Sequence, residues 1–514
     1  MTDAGRTTSI WQDTTPATTY SPLEQDTEVD VCVIGGGITG ITAAVLLREA
    51  GETVAVVEHD RVGSGVTGYT TGKVTSLHGL TYDQVRSRFG PDGAGVYAAA
   101  NQAGLELIVR WVAERGIDCD LRRKPAFTYA EDPSDLDDVR KEVDAALEAG
   151  LPASFTTETE LPWPIAGAIR VEDQAEFHSR KYLLELARTL PGEGSHVFER
   201  TRALAVEDGS PCRVRTDRGD VLARDVIVAT HYPMLDRGLF FTRLSPERSY
   251  AIAVELDGPV PQDMYLSTES PSHSLRAVPH EEGELLIVGG ESHKTGQGGD
   301  TTERYERLEA WARGRLPVTG VRYRWSAQDA MPADGIPYVG KLSPVSRHLW
   351  TASGYKKWGL TNGTAAALML TDLMLGRENP WISTFDANRF KPLAAAPTLL
   401  RENVNVGAHF FGDRLSPPDA RSLDELGPDE GGIVSVDGEK VAAYRDPAGT
   451  VHAVSPTCTH LYCQVSWNSA ERSWDCPCHG SRFDVRGHVL EGPAVDDLAA
   501  KELPAEAIRP GPDV

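Results

Sequence analysis

Asp30-Val31-Cys32-Val33-Ile34-Gly35-Gly36-Gly37-Ile38-Thr39-Gly40 opens the first regular part of this chain. Residues 30–34 form a largely apolar run of buried-strand length. Glycines at 35, 37 and 40 follow at once. The pattern then predicts a helix over residues 41–50, ended by Gly51, and a second strand over 53–58. The whole is a βαβ unit. In such a unit Gly35 permits the tight turn and Gly37 lets the backbone approach a pyrophosphate. Gly40 allows close packing of helix on strand. Amides at the helix start hold phosphate oxygens, which adds Ile38 and Thr39. Glu58, at the end of the second strand, is placed to accept from a ribose hydroxyl, with His59 beside it. These residues point to a bound dinucleotide.

Two further segments narrow the choice. Arg61-Val62-Gly63-Ser64-Gly65-Val66-Thr67-Gly68-Tyr69-Thr70-Thr71-Gly72-Lys73 is rich in glycine and hydroxyls. Far downstream stands Gly354-Tyr355-Lys356-Lys357-Trp358-Gly359-Leu360-Thr361-Asn362-Gly363. With Val226-Ile227-Val228-Ala229-Thr230 between them, this order resembles the D-amino-acid-oxidase (DAO) superfamily of flavoproteins, such as the gamma-glutamylputrescine and sarcosine oxidase group. The resemblance implies FAD. It places Gly65, Thr67, Gly68, Thr70, Thr71 and Gly72 along the pyrophosphate and ribityl, and Ala229 and Thr230 on the adenine side. Gly354, Gly359, Leu360 and Thr361 fall at the flavin edge, ahead of a helix over 364–375. It implies oxidation of an amine or amino acid by hydride transfer to the flavin. No cysteine lies near 354–363, so the FAD is expected to be noncovalent.

The C-terminal part carries Cys458-Thr459-His460 and Cys476-Pro477-Cys478-His479. Two Cys-His pairs are the ligand set of a Rieske [2Fe–2S] cluster. Two thiolates hold one iron and two imidazoles the other, which raises the reduction potential. A structural Cys2His2 zinc site uses the same ligand types. It has no need of the extra Cys463 and Cys478, or of Gly480-Ser481. Both loops resemble those of cytochrome bc-type Rieske proteins, which implies a Cys463–Cys478 disulfide. Two positions depart from that family: Tyr462 stands where it usually has Gly, and Phe483 where it often has Tyr. A hydroxyl at 483 would donate toward a ligand sulfur, so its loss should lower the potential. Gly492-Pro493-Ala494 resembles the loop that covers the cluster.

The expected architecture is an α/β FAD-binding Rossmann-type domain with an antiparallel-sheet substrate domain, plus a small all-β Rieske domain. Residues 1–28 read as a lead segment and 29–382 as the oxidoreductase. Its substrate parts are expected at about 81–170 and 233–330, with cofactor-binding elements returning at 171–232. Residues 383–426, with several prolines, read as a linker, and 427–514 as the Rieske domain. The formal charge of −24 argues against nucleic acid. It suits a cationic substrate, a basic redox partner, or merely a solvated surface. The polar start and the absence of a long apolar run lead us to expect a soluble cytoplasmic protein. Cys32, Cys119 and Cys212 are isolated and expected to be buried.

Lys73, His78 and Trp358 are the candidate catalytic residues, since they flank the flavin segments. Tyr250, His231, Glu291 and His293 are weaker ones. Electrons from the flavin are expected to pass to the cluster and on to oxygen or an electron-transfer protein. Entry of electrons through the cluster, from NAD(P)H or a ferredoxin, and a non-enzymatic relay both remain open at this point.

Overall fold

Alternation along the first strand explains why it is central. Thr27–Ile34 turns Val31 and Val33 to one face and Cys32 and Ile34 to the other, and both faces are covered. A strand buried on both sides reads as continuously apolar. It pairs in parallel with Val54–Val57 on one side and Asp220–Val228 on the other. Leu349–Ser353 extends the parallel set, His196–Phe198 closes one edge, and Tyr338–Lys341 adds antiparallel at the other. The computed structural model describes residues 5–503 apart from residues 236, 282, 390, 391, 416 and 421.

A second sheet stands beside the first. Its order runs Val318–Pro332, Leu244–Leu256, Gly283–Lys294, Ser274–His280, Met264–Ser267, Arg122–Ala130, Gly167–Glu176 and Lys73–Val74. It is antiparallel except where Met264–Ser267 runs parallel to Arg122–Ala130. Gly167–Glu176 thus belongs mostly to the substrate sheet, although cofactor-binding elements were expected to return at 171. Alternation predicts a strand but not its partner.

Two helices begin earlier than expected. Ile38–Glu49 starts directly at Gly37, and Gly359–Met374 starts at Gly359 rather than 364. In both, glycines read as loop form the first helical turn. The long helix Tyr82–Arg115 is broken at Gly90, whose φ is 77°, and ends at left-handed Gly116.

Residues 383–426 are not a plain linker. They hold the helix Pro392–Leu415. Lys294 Nζ donates to Glu402 Oε2 (2.8 Å) on this helix, while Val406 and Phe410 pack on the Rieske core. The Rieske part has two antiparallel sheets, Glu430–Val436 with Glu439–Arg445 and Val451–Val454, and a four-stranded one from Ser466–Asn468 to Val489–Glu491. Among the described residues, no helix is long and apolar enough to cross a membrane. Cys32, Cys119 and Cys212 are buried.

Candidate functional site

A cavity of about 400 Å³ begins at the glycine turn. Gly35, Gly37, Ile38 and Thr39 line it, and Gly37 caps the helix Ile38–Glu49 without a side chain of its own. Ile38 N–H donates to Thr67 Oγ1 at 3.0 Å, which ties the turn to the hydroxyl-rich loop. Gly40 does not face the cavity. A Cβ there would lie 2.0 Å from Gly35 O, so its role is close packing. Glu58 accepts from Gly36 N–H (2.7 Å), Asp60 N–H (3.0 Å) and the His59 ring (2.7 Å). Burial opposes its charge, but His59 and the two amides outweigh it and hold the carboxyl below its ordinary value.

The cavity continues past Gly65, Thr67, Thr70 and Thr71, with Ala229 and Thr230 on one wall and Gly359 and Leu360 at the start of the second helix. Four proposed contacts lie behind this surface. Gly68 and Gly72 are crowded by Gly63 O and the Arg276 guanidinium, Gly354 has a φ of 81°, and Thr361 Oγ1 donates to Thr75 O (3.0 Å). These residues shape the walls. The start of the chain also shapes the loop, which its sequence did not announce. Buried Trp11 donates to Thr70 O (2.6 Å), and Gln12 donates to Gly63 O (2.7 Å).

At the substrate-sheet end Lys73 lines the cavity. Its Nζ donates to Tyr265 O (2.5 Å) and Ser274 Oγ (2.7 Å). Burial and the neighbouring Arg276 push its pKa down to about 7. A neutral amine whose two N–H groups are engaged keeps its lone pair for a third partner. Trp358 also lines the cavity. His78 stands behind Trp358, stacked at 4.8 Å, with Nδ1 bonded to Tyr97 OH and Nε2 to Thr75 O. Burial pushes it down to about 3, so it stays neutral. Of the weaker candidates, Tyr250 and His231 face the cavity, His293 supports Tyr250 OH (3.0 Å), and Glu291 pairs with Arg307.

The sequence reading missed Lys357, Gln328 and Arg202, all on the cavity wall. Lys357 Nζ donates to Glu247 and Ser292. It lay within a quoted segment. Gln328 was signalled only by alternation along a strand.

The two cluster loops share one conformation. Cys458 N–H donates to Cys463 O and Tyr462 N–H back to Cys458 O. Cys476 N–H donates to Ser481 O and Gly480 N–H back to Cys476 O. The fifth residue of each loop is left-handed, with φ 61° at Tyr462 and 78° at Gly480. Glycine suits that position, whereas an L-residue there is strained by about 1–2 kcal/mol. A Cys463–Cys478 disulfide joins the loops, with Cα atoms 6.5 Å apart. Cys463, Cys476 and Cys478 sulfurs lie within 4.8 Å of one another, but the disulfide occupies two of them. Cys458 and Cys476 remain as buried thiols. The rings of His460 and His479 lie 5.1 Å apart, and His479 Nδ1 is buried without a hydrogen-bond partner. Two thiols, two imidazoles and an orphaned ring nitrogen fit a Rieske cluster.

The cluster loops face the oxidoreductase. Gln328 Nε2 donates to Gly480 O at 2.8 Å, and Thr295 Oγ1 holds Gln328 Oε1 (2.7 Å). A Cβ on Gly296 would lie 2.7 Å from Pro477 N. Phe241 meets the His479 ring edge-on at 5.7 Å.

Comparison with known proteins gives these features a context. Residues 30–373 match the DAO family, described as FAD dependent oxidoreductase, and residues 418–502 match the Rieske [2Fe-2S] domain. YhfW of Bacillus subtilis (strain 168), whose name describes a Rieske 2Fe-2S iron-sulfur protein, is 36% identical over 497 residues. The match covers 96% of this chain and 97% of YhfW. The gamma-glutamylputrescine oxidoreductase of Escherichia coli (strain K12) is 25% identical over 402 residues, 74% of this chain and 90% of that one. The fold resembles the crystal structure of glycine oxidase from Geobacillus kaustophilus. That likeness has a TM-score of 0.60 and 21% identity over 71% of this chain and 99% of that one. The chain therefore belongs to the DAO family of FAD-dependent oxidoreductases, with an FAD-binding domain followed by a Rieske [2Fe–2S] domain.

Proposed function

We propose that this protein oxidises an amine or amino acid at the substrate-sheet end of the cavity and passes the electrons to its own Rieske cluster. The observation that carries this reading is the contact of Gln328. One side chain both lines the FAD cavity and donates to the carbonyl of Gly480, the residue after the proposed ligand His479. His479 is itself buried against the oxidoreductase, beside Phe241.

FAD, held by the glycine turn and the hydroxyl-rich loop, would supply a hydride acceptor, and the cluster, held by Cys458, His460, Cys476 and His479, would supply a one-electron acceptor. The chain supplies position and proton control. Trp358 and Tyr250 wall the cavity. Lys73 offers a neutral amine that takes a proton from a substrate ammonium, leaving the nitrogen lone pair able to assist hydride departure. The similarity to gamma-glutamylputrescine oxidoreductase supports an amine substrate. We expect Lys73, Trp358 and the cavity-facing glycines and threonines to carry these roles. His78 serves by packing Trp358.

The test is anaerobic titration with a panel of amines and amino acids, followed by flavin absorbance and then by the electron paramagnetic resonance of the cluster. The expected order in rapid mixing is flavin bleaching first and cluster reduction second. Replacing His460 or His479 should abolish the second phase and spare the first. Reduction of the cluster by a donor protein ahead of the flavin would reverse the proposed direction.

A further inference from the structure

The FAD cavity has a wall that does not come from the oxidoreductase. Residues 489–495 of the Rieske domain, among them Val489, Glu491, Ala494 and Val495, line it together with Tyr69 and Arg202. Arg202 fastens this wall. Its Nη1 donates to Asp497 Oδ1 at 2.8 Å, and the same oxygen accepts from Val489 N–H at 2.9 Å. Arg202 follows the segment that runs beside Glu58, since Thr201 N–H donates to Glu58 O. The wall therefore starts at the ribose end of the cavity.

The other side of the same segment is tied to the cluster. Ala494 N–H donates to the buried hydroxyl oxygen of Ser481 at 3.0 Å. Ser481 closes the second cluster loop, where its carbonyl accepts from Cys476 N–H at 2.8 Å. A donor to Ser481 Oγ polarises that hydroxyl and strengthens the bond its own proton makes. Hydrogen bonds to cluster sulfurs are a main control of reduction potential. Arg482, next to Ser481, also holds Glu491 (3.2 Å). One side of residues 489–495 thus faces the cavity and the other is bonded to Ser481 in the second cluster loop.

We propose that residues 489–495 are a shared wall that completes the FAD site and holds the Ser481 hydroxyl in the second cluster loop, so that FAD occupancy and the reduction potential of the cluster are linked. By thermodynamic reciprocity, the factor by which FAD shifts the cluster equilibrium is the factor by which cluster reduction shifts FAD affinity. This linkage needs both cofactors but no particular direction of electron flow, so it stands or falls apart from the proposed oxidation.

The experiment uses the full-length holoprotein. Its FAD is removed reversibly with chaotropic salt, iron content is checked, and FAD is added back. The cluster midpoint potential and resonance spectrum are recorded at each stage, for wild type and for Ser481→Ala. In wild type the potential should shift on FAD removal and return on re-addition. Ser481→Ala should lower the potential and abolish the FAD-dependent shift. Asp497→Asn, which weakens the clamp to Arg202, should speed FAD dissociation several-fold, read by recovery of flavin fluorescence. Equal wild-type potentials with and without FAD would overturn the linkage. An undiminished shift in Ser481→Ala would overturn the route through Ser481 and leave only the field of the FAD phosphates. Unchanged FAD dissociation in Asp497→Asn would show that the wall does not retain the cofactor. Should FAD removal cost iron, a Gly37→Val variant supplies the FAD-free cluster for the same measurement.

Discussion

Lys73 sits in the flavin loop as sequence order required, but its properties come from its surroundings. Burial and Arg276 lower its pKa from 10.5 to about 7, so between these values the unfolded chain holds a proton that the folded one lacks. Stability from this group therefore rises with pH across that window, by up to about 1.4 kcal/mol per unit, and the penalty is fully present below pH 7. Flavin reduction by substrate should likewise rise with pH to a plateau, with a midpoint near 7. Lys73→Met should flatten both profiles, as seen in stopped-flow rates and denaturant titrations at several pH values. Phe483 makes a second case. It is wholly buried and lies on the short strand after Ser481, so no water replaces the hydroxyl it lacks. Phe483→Tyr should raise the cluster potential in a redox titration through an added donor toward a ligand sulfur.

At the scale of elements, the short helix Ile10–Asp13 is the instructive one. It reads as part of a polar lead segment, yet Ser9, Trp11 and Gln12 all bond to carbonyls of the hydroxyl-rich loop. Trp11 is completely buried and makes a cation–π contact with Arg276. Trp11→Ala should destabilise the protein by about 3–5 kcal/mol, as expected for a buried tryptophan. It should also release FAD more readily. Thermal unfolding and the free-flavin fraction check both. The helix Pro392–Leu415 makes the related point that a stretch with several prolines can still be an ordered element. Pro392 sits at its first residue, where a missing N–H costs nothing.

The whole molecule brings two cofactor sites into one body. Gly37→Val tests how far each stands alone. A Cβ at this position meets only Thr67 Oγ1, at 3.4 Å, so the fold tolerates it, while the branched methyls take the space of a phosphate. The expected protein has lost FAD but keeps the two irons of its Rieske centre, read by flavin extraction and metal analysis. Loss of both together would mean that the domains do not fold independently. Zinc in place of iron would contradict the cluster.

What the amino-acid sequence determined by itself was local chemistry. The glycines at 35, 37 and 40 and the paired Cys-His loops are constraints satisfied within a few residues, by backbone conformation or ligand type. They were legible for that reason. Helix starts at 38 and 359 were placed late because a glycine turn and a first helical turn look alike in one dimension. Tertiary structure decided the rest. Gln328 against Gly480, Arg202 against Asp497, Trp11 under Thr70 and the wall at 489–495 each join residues far apart in the chain. A strand's alternation says which face is buried, but only packing says what covers it, and in this protein that packing decides which cofactor each residue serves.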